Sequence, residues 1–177
     1  MPRLPNRQPV LKPQDFYLLL ALAACRDQGT TYPELAAFSG LSMSEVHGAL
    51  KRAEAARLLI FDIKRPRILL PAFKEFLFHG AKYAFPATRG SMVAGVPTAH
   101  AAAPLSAHIS PSADPPPVWP SIAGTTRGMA LLPLYPSAPA AALRSTALYE
   151  NLALFDAIRA GNARERTLAK RFFEERL

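Results

Sequence analysis

Cysteine is nearly missing from this chain. Cys25 is the only one in 177 residues, so neither an intramolecular disulfide nor a cysteine-based zinc site is available. It lies among Leu20, Leu22, Ala23 and Ala24, with Arg26 beside it. That setting reads as a buried structural thiol in a reducing compartment rather than a redox sensor. Long hydrophobic runs are also missing. The stretch from Phe16 to Cys25 is too short to span a bilayer, and Met1 to Pro9 lack the apolar core of a signal peptide. The expectation is a cytoplasmic protein with no membrane association.

Signatures of catalysis are equally scarce. No serine sits in Gly-x-Ser-x-Gly, and Gly90, Gly95 and the run Gly124-Thr125-Thr126-Arg127-Gly128 have no leading strand and no following Gly-Lys-Ser/Thr to make a phosphate loop. His100, His108 and Asp114 could be imagined as metal ligands, but no helical register aligns them in their proline- and alanine-rich surroundings. Loop histidines are the better account. The sequence therefore calls for no enzyme activity, no cofactor and no metal.

Acidic side chains are the minority. The chain carries 21 Lys and Arg against 13 Asp and Glu, a net charge of +8 with a pI near 10.1. Such a balance favours a polyanionic partner, nucleic acid before anionic membrane. Net charge divides unevenly among three compositional zones, as +5 over residues 1–85, +1 over 86–140 and +2 over 141–177.

The first zone holds the most informative pattern, between residues 31 and 58. Ala36, Gly40 and Val46 have the spacing of a helix-turn-helix: a small residue where two helices cross, a glycine in the turn, an apolar anchor in the second helix. Thr31 to Glu34 and Ser42 to Glu45 are both Ser/Thr-x-x-Glu, the capping box that starts a helix. These boxes place helices over Tyr32–Ser39 and Met43–Arg57. A preceding helix should begin at Pro13 and end at Gln28 before Gly29. It is apolar over most of its circumference, so it needs cover on two sides, one from the helix-turn-helix and the other from a second copy of the chain. After the third helix, Leu58 to Phe61 and Ile68 to Leu70 are short β-prone runs separated by the basic stretch Asp62 to Arg67, which predicts a hairpin with a basic tip.

Helix, helix-turn-helix and basic hairpin in this order, over roughly residues 13–70, resemble the winged-helix transcriptional regulators, the MarR-like group in particular. The resemblance implies a DNA-binding domain over residues 1–85 whose third helix enters the major groove. On a helical wheel Val46, Ala49, Leu50 and Ala53 point inward. Ser44, His47, Gly48, Lys51 and Ala55 point outward, with Arg52 on the flank. The expected DNA-binding residues are Ser42, Ser44, His47, Gly48, Lys51 and Arg52 on the helix, with Lys64, Arg65 and Arg67 on the hairpin.

Pro71 opens a fourth helix through Tyr83, with Phe73, Phe76, Leu77 and Tyr83 on one face. Residues 86–140 contain 11 of the 18 prolines, a density that interrupts regular structure. Their few charges and their Val118, Trp119, Leu131, Leu132, Leu134 and Tyr135 argue against simple disorder. Between a flexible linker and an extended arm we expect the arm, packed along a folded body such as that of a partner subunit. Residues 141–177 form a helical hairpin. Leu148, Leu152, Phe155 and Ile158 make one stripe, Gly161 ends it, and Asn162 to Glu165 cap a last helix bearing Leu168, Phe172 and Phe173. A dimer could cover these faces.

The expected fold is mainly α: a winged helix-turn-helix with a small β-hairpin, a Pro/Ala-rich arm and a C-terminal helical pair. The expected function is sequence-specific transcriptional regulation by a homodimeric repressor, with double-stranded DNA as partner and a palindromic site. The alternative is a protein-binding adaptor or antitoxin-like partner whose arm and C-terminal helices wrap another protein.

Overall fold

The computed structural model describes residues 10–25, 29–63, 65–110 and 113–177. Its first helix, α1 (Pro13–Ala24), starts where Pro13 needs no amide partner and the Asp15 carboxylate accepts the Lys12 amide at 2.8 Å. The expected end at Gln28 lies outside the described residues. Every side chain from Asp15 to Leu22 is buried. The helix is therefore a core rod, and its cover comes from α2 (Tyr32–Ser39) and α3 (Met43–Ala55) on one side and α7 (Thr146–Ala160) on the other. The second cover is this chain's own helix, which corrects the expectation of a second copy.

Both capping boxes form. Thr31 Oγ1 accepts the Glu34 amide and the Glu34 carboxylate accepts the Thr31 amide; Ser42 and Glu45 repeat the arrangement. Gly40 caps α2 in the left-handed region at φ +71°, a conformation that costs a residue with a Cβ about 1 kcal/mol. The third helix stops two residues before its expected end. Arg57 turns left-handed at φ +57°, and the amides of Arg57 and Leu58 bond back to the carbonyls of Glu54 and Ala53. That double return is a Schellman closure, usually given to glycine.

The hairpin is tighter than its sequence suggests. Strands β1 (Leu59–Asp62) and β2 (Arg65–Ile68) pair antiparallel with Leu59 opposite Ile68 and Asp62 opposite Arg65, so the pairing runs to the ends of both strands. Pro66 enters β2 because it lies on a two-stranded sheet where one missing amide is tolerated.

The fourth helix is interrupted. An α-helical turn, α4 (Leu70–Glu75), passes into a π-helical turn over Phe76–Gly80 and then α5 (Ala81–Ala84). A π turn inserts one residue and rotates the helix beyond it. Phe73, Leu77, Ala81 and Phe85 therefore share the buried side, while Tyr83, expected to join them, is 76 % exposed.

Residues 86–140 are no arm. Strands β3 (Arg89–Pro97), β4 (Pro117–Pro120) and β5 (Thr126–Leu131) each pair with the other two: β3 antiparallel to both, β4 parallel to β5. Prolines sit at strand ends, at Pro97, Pro117 and Pro120. Glycines let three backbones close together, since a Cβ on Gly95 would lie 2.2 Å from the Trp119 carbonyl oxygen and one on Gly128 would lie 2.1 Å from that of Pro116. Val118, Trp119, Leu131 and Leu134 are buried in this same chain, whereas Leu132 is exposed. The sequence pattern missed the sheet because its pairings are non-local and because β4 and β5 span only four and six residues.

A short helix α6 (Ala138–Ala142) then leads to α7 and α8 (Ala163–Arg176). From Asn151 to Ile158 every residue of α7 is buried, enclosed by α1, α5, α6, α8 and the turn at Ala99–Ala101. A helix buried all round is a core element, so the expected need for a partner copy is met inside the molecule. The whole is a mixed helix-and-sheet fold rather than a mainly α one.

Candidate nucleic-acid interface

Three polar locks fix α3 against the body. At its N-terminus the Glu45 carboxylate, besides capping, accepts from Gln14 Nε2 at 2.9 Å and from Tyr135 Oη at 3.1 Å. These hydrogen bonds, led by those from the Ser42 amide and hydroxyl, hold its pKa down at about 2. Tyr135 in turn stacks on Tyr17, ring centroids 5.6 Å apart. The second lock is the turn between α2 and α3: the Ser39 carbonyl accepts from Tyr17 Oη at 2.6 Å and from Ser137 Oγ at 3.2 Å. The third is Arg52, whose Nε and Nη2 donate to Asp15 at 2.8 and 2.6 Å. Asp15 is fully buried.

Arg52 is thus withdrawn from the role expected of it. Its guanidinium compensates a carboxylate in the core, and releasing it toward a phosphate would leave that charge unpaired in a low dielectric. Gly48 also differs from expectation. A Cβ there would meet Arg52 Nη1 at 3.1 Å, so the small residue accommodates the Arg52 side chain. The Ser42 hydroxyl is occupied in the capping box, donating to Glu45 at 2.7 Å.

What remains on the outward side of α3 is Ser44, His47, Lys51 and Ala55, all exposed, opposite the buried Val46, Ala49, Leu50 and Ala53. Lys51 is held by Glu54 at 3.1 Å and stands 4.9 Å over the Phe61 ring centroid. Phe61 stacks on Tyr32 at a centroid distance of 6.4 Å, and Tyr32 meets the His47 ring at 6.0 Å with the planes tilted by 31°. This aromatic row ties α2, α3 and β1 together, with His47 as its exposed member. Sequence reasoning overlooked Tyr32 and Phe61; the one available signal was the inward register of Phe61 in its strand.

On the hairpin, Arg65 and Arg67 alternate with buried Pro66 and Ile68 and point outward together. The Arg65 guanidinium lies against Gly29. Lys64 lies outside the described residues. Ile63 at the tip is 93 % exposed. Ser44, His47 and Lys51 therefore share one helix face, and Arg65 and Arg67 share one hairpin face.

The other expected loci disperse. Cys25 is half-buried, and burial raises its thiol pKa. His108 packs near Phe172 at 5.1 Å, while His100 lies with Asp114 along a cleft. Among the described residues no three His, Cys, Asp or Glu side chains gather as metal ligands would, and no helix is long and apolar enough to cross a membrane. No protein-family model, curated protein or solved structure matches the chain.

Proposed function

We propose that the protein is a sequence-specific DNA-binding regulator of transcription, with α2, the Gly40 turn and α3 acting as a helix-turn-helix and β1–β2 as its wing. The observation that carries this reading is the clean division of α3 into a buried apolar side and an exposed side bearing Ser44, His47 and Lys51. A helix held rigidly by its other side and polar on its free side is what a major groove admits. Ser44 and His47 would meet base edges and Lys51 phosphate or guanine, while Arg65 and Arg67 would neutralise flanking backbone. The net charge of +8 agrees in sign. One such helix covers only a few base pairs, so two copies reading inverted half-sites about one helical turn apart would make the repressor of a palindromic operator.

Selection of bound duplexes from a randomised pool tests the proposal. One enriched motif is expected, relaxed at particular positions by His47→Ala. A pool that emerges without any motif would refute sequence-specific reading.

A further inference from the structure

A cleft of about 370 Å³ opens away from α3, between the sheet and the start of α8. Its volume is that of a small-ligand site. Charges of both signs line it from separate elements. Arg89 reaches it from the first residue of β3, held by one bond from Nη2 to the Ala160 carbonyl at 2.8 Å. Exposed Asp114 lines it from the segment before β4. From the first turn of α8 comes Glu165, with only 11 % of its side chain exposed and the His100 Nδ1 3.4 Å from its Oε1. Ala99, Met129 and Leu131 supply an apolar wall.

The arrangement selects against simple ions. A bare anion would find the Arg89 guanidinium but also two carboxylates, and a bare cation would find the carboxylates but also Arg89. A molecule carrying both charges satisfies each wall. The guanidinium of Arg89 has further donors for a planar carboxylate. The Glu165 carboxylate, although it already accepts from the Asn162 amide and side chain, has acceptor capacity left for an ammonium. The geometry points to a binding site for a free α-amino acid with an apolar side chain: carboxylate on Arg89, ammonium between Asp114 and Glu165, side chain on Met129 and Leu131. The site stands independently of the nucleic-acid reading, because it involves neither α3 nor the hairpin.

Isothermal titration of the full chain without DNA tests it, using L-leucine, L-methionine and L-phenylalanine, with 4-methylpentanoate and 3-methylbutylamine as analogues of leucine lacking one charge each. Saturable binding is expected for at least one amino acid, and each analogue should bind about tenfold more weakly than leucine or worse, a loss of about 1.4 kcal/mol. Arg89→Met and Asp114→Asn should each lower amino-acid affinity by a similar factor, with unchanged circular dichroism. Arg127→Met, on β5 outside the cleft, should not. No saturable heat from any of the three amino acids at ~10 mM, well beyond the millimolar range of weak specific sites, would overturn the proposal. So would equal binding of 4-methylpentanoate or 3-methylbutylamine.

Discussion

The Arg52 guanidinium grips the buried Asp15 carboxylate through two hydrogen bonds of 2.8 and 2.6 Å, joining α3 to the first turn of α1. Truncating the arginine leaves a negative charge inside the protein without its partner. Arg52→Ala should therefore destabilise the fold by about 3 kcal/mol in urea denaturation, and Asp15→Asn in the same chain should recover part of that loss. Lys51→Ala, one position away on the exposed face, should change stability by less than about 0.5 kcal/mol. Similar losses for the two single variants would contradict the division between a structural and a surface cation.

A comparable lock joins the sheet to α7. Buried Asp156 accepts from Trp119 Nε1 at 2.6 Å, from Thr98 Oγ1 at 2.7 Å and from Arg159 Nε at 2.7 Å. Trp119 is the chain's only tryptophan, so its fluorescence reports on this junction. Because it is bonded to the central helix, the fluorescence and far-ultraviolet circular dichroism unfolding curves should superimpose. Asp156→Ala strands Arg159, whose side chain is 4 % exposed, and should cost about 3 kcal/mol. Separate transitions for the two probes would show that the sheet folds apart from the helices.

How much of the fold was readable from residues alone depended on whether the signal was local. Both capping boxes, the Gly40 turn and the bounds of α2 follow from side chains within four positions of each other, and the structure has them in place. The buried side of α3 follows from its 3.6-residue period. The three-stranded sheet does not, because its pairings join Gly95 to Pro120 and Arg89 to Leu131 across long loops. Arg52 was misassigned for a related reason: its partner lies 37 positions away. The face on which its neighbours sit says nothing of that.

Acid should weaken the α3 N-terminus in a defined window. The Glu45 carboxyl titrates at about 2 in the folded protein against an ordinary 4.5, and Glu34 is lowered in the same direction by the amide and hydroxyl of Thr31. A depressed folded pKa contributes stability that is fully present above pH 4.5 and is lost as the pH falls toward 2. The stability difference between wild type and Glu45→Gln should therefore be constant above about pH 5 and shrink below 4.5. Since Tyr135 Oη donates to this carboxylate, Tyr135→Phe should raise the Glu45 pKa in a carboxyl NMR titration. An unmoved value would remove Tyr135 from the network.

Arg57 holds a left-handed conformation at φ +57° to close α3. Glycine takes that conformation without a Cβ penalty, and Arg57 is exposed. Arg57→Gly should raise stability by about 0.5–1 kcal/mol in thermal or urea unfolding, while Arg57→Val should lower it. A loss with glycine would show that the side chain contributes more than its strain costs.

The exposed face of α3 and the hairpin arginines are tested together most directly by the salt dependence of duplex binding. With wild type, the logarithm of affinity for the selected motif should fall linearly with the logarithm of salt concentration. In a Lys51→Ala, Arg65→Ala, Arg67→Ala chain that line should flatten by a slope of about 2–3, near 0.9 for each phosphate that is no longer neutralised. If affinity and slope are unchanged in the triple variant, with its fold intact, this surface is not where the protein meets DNA.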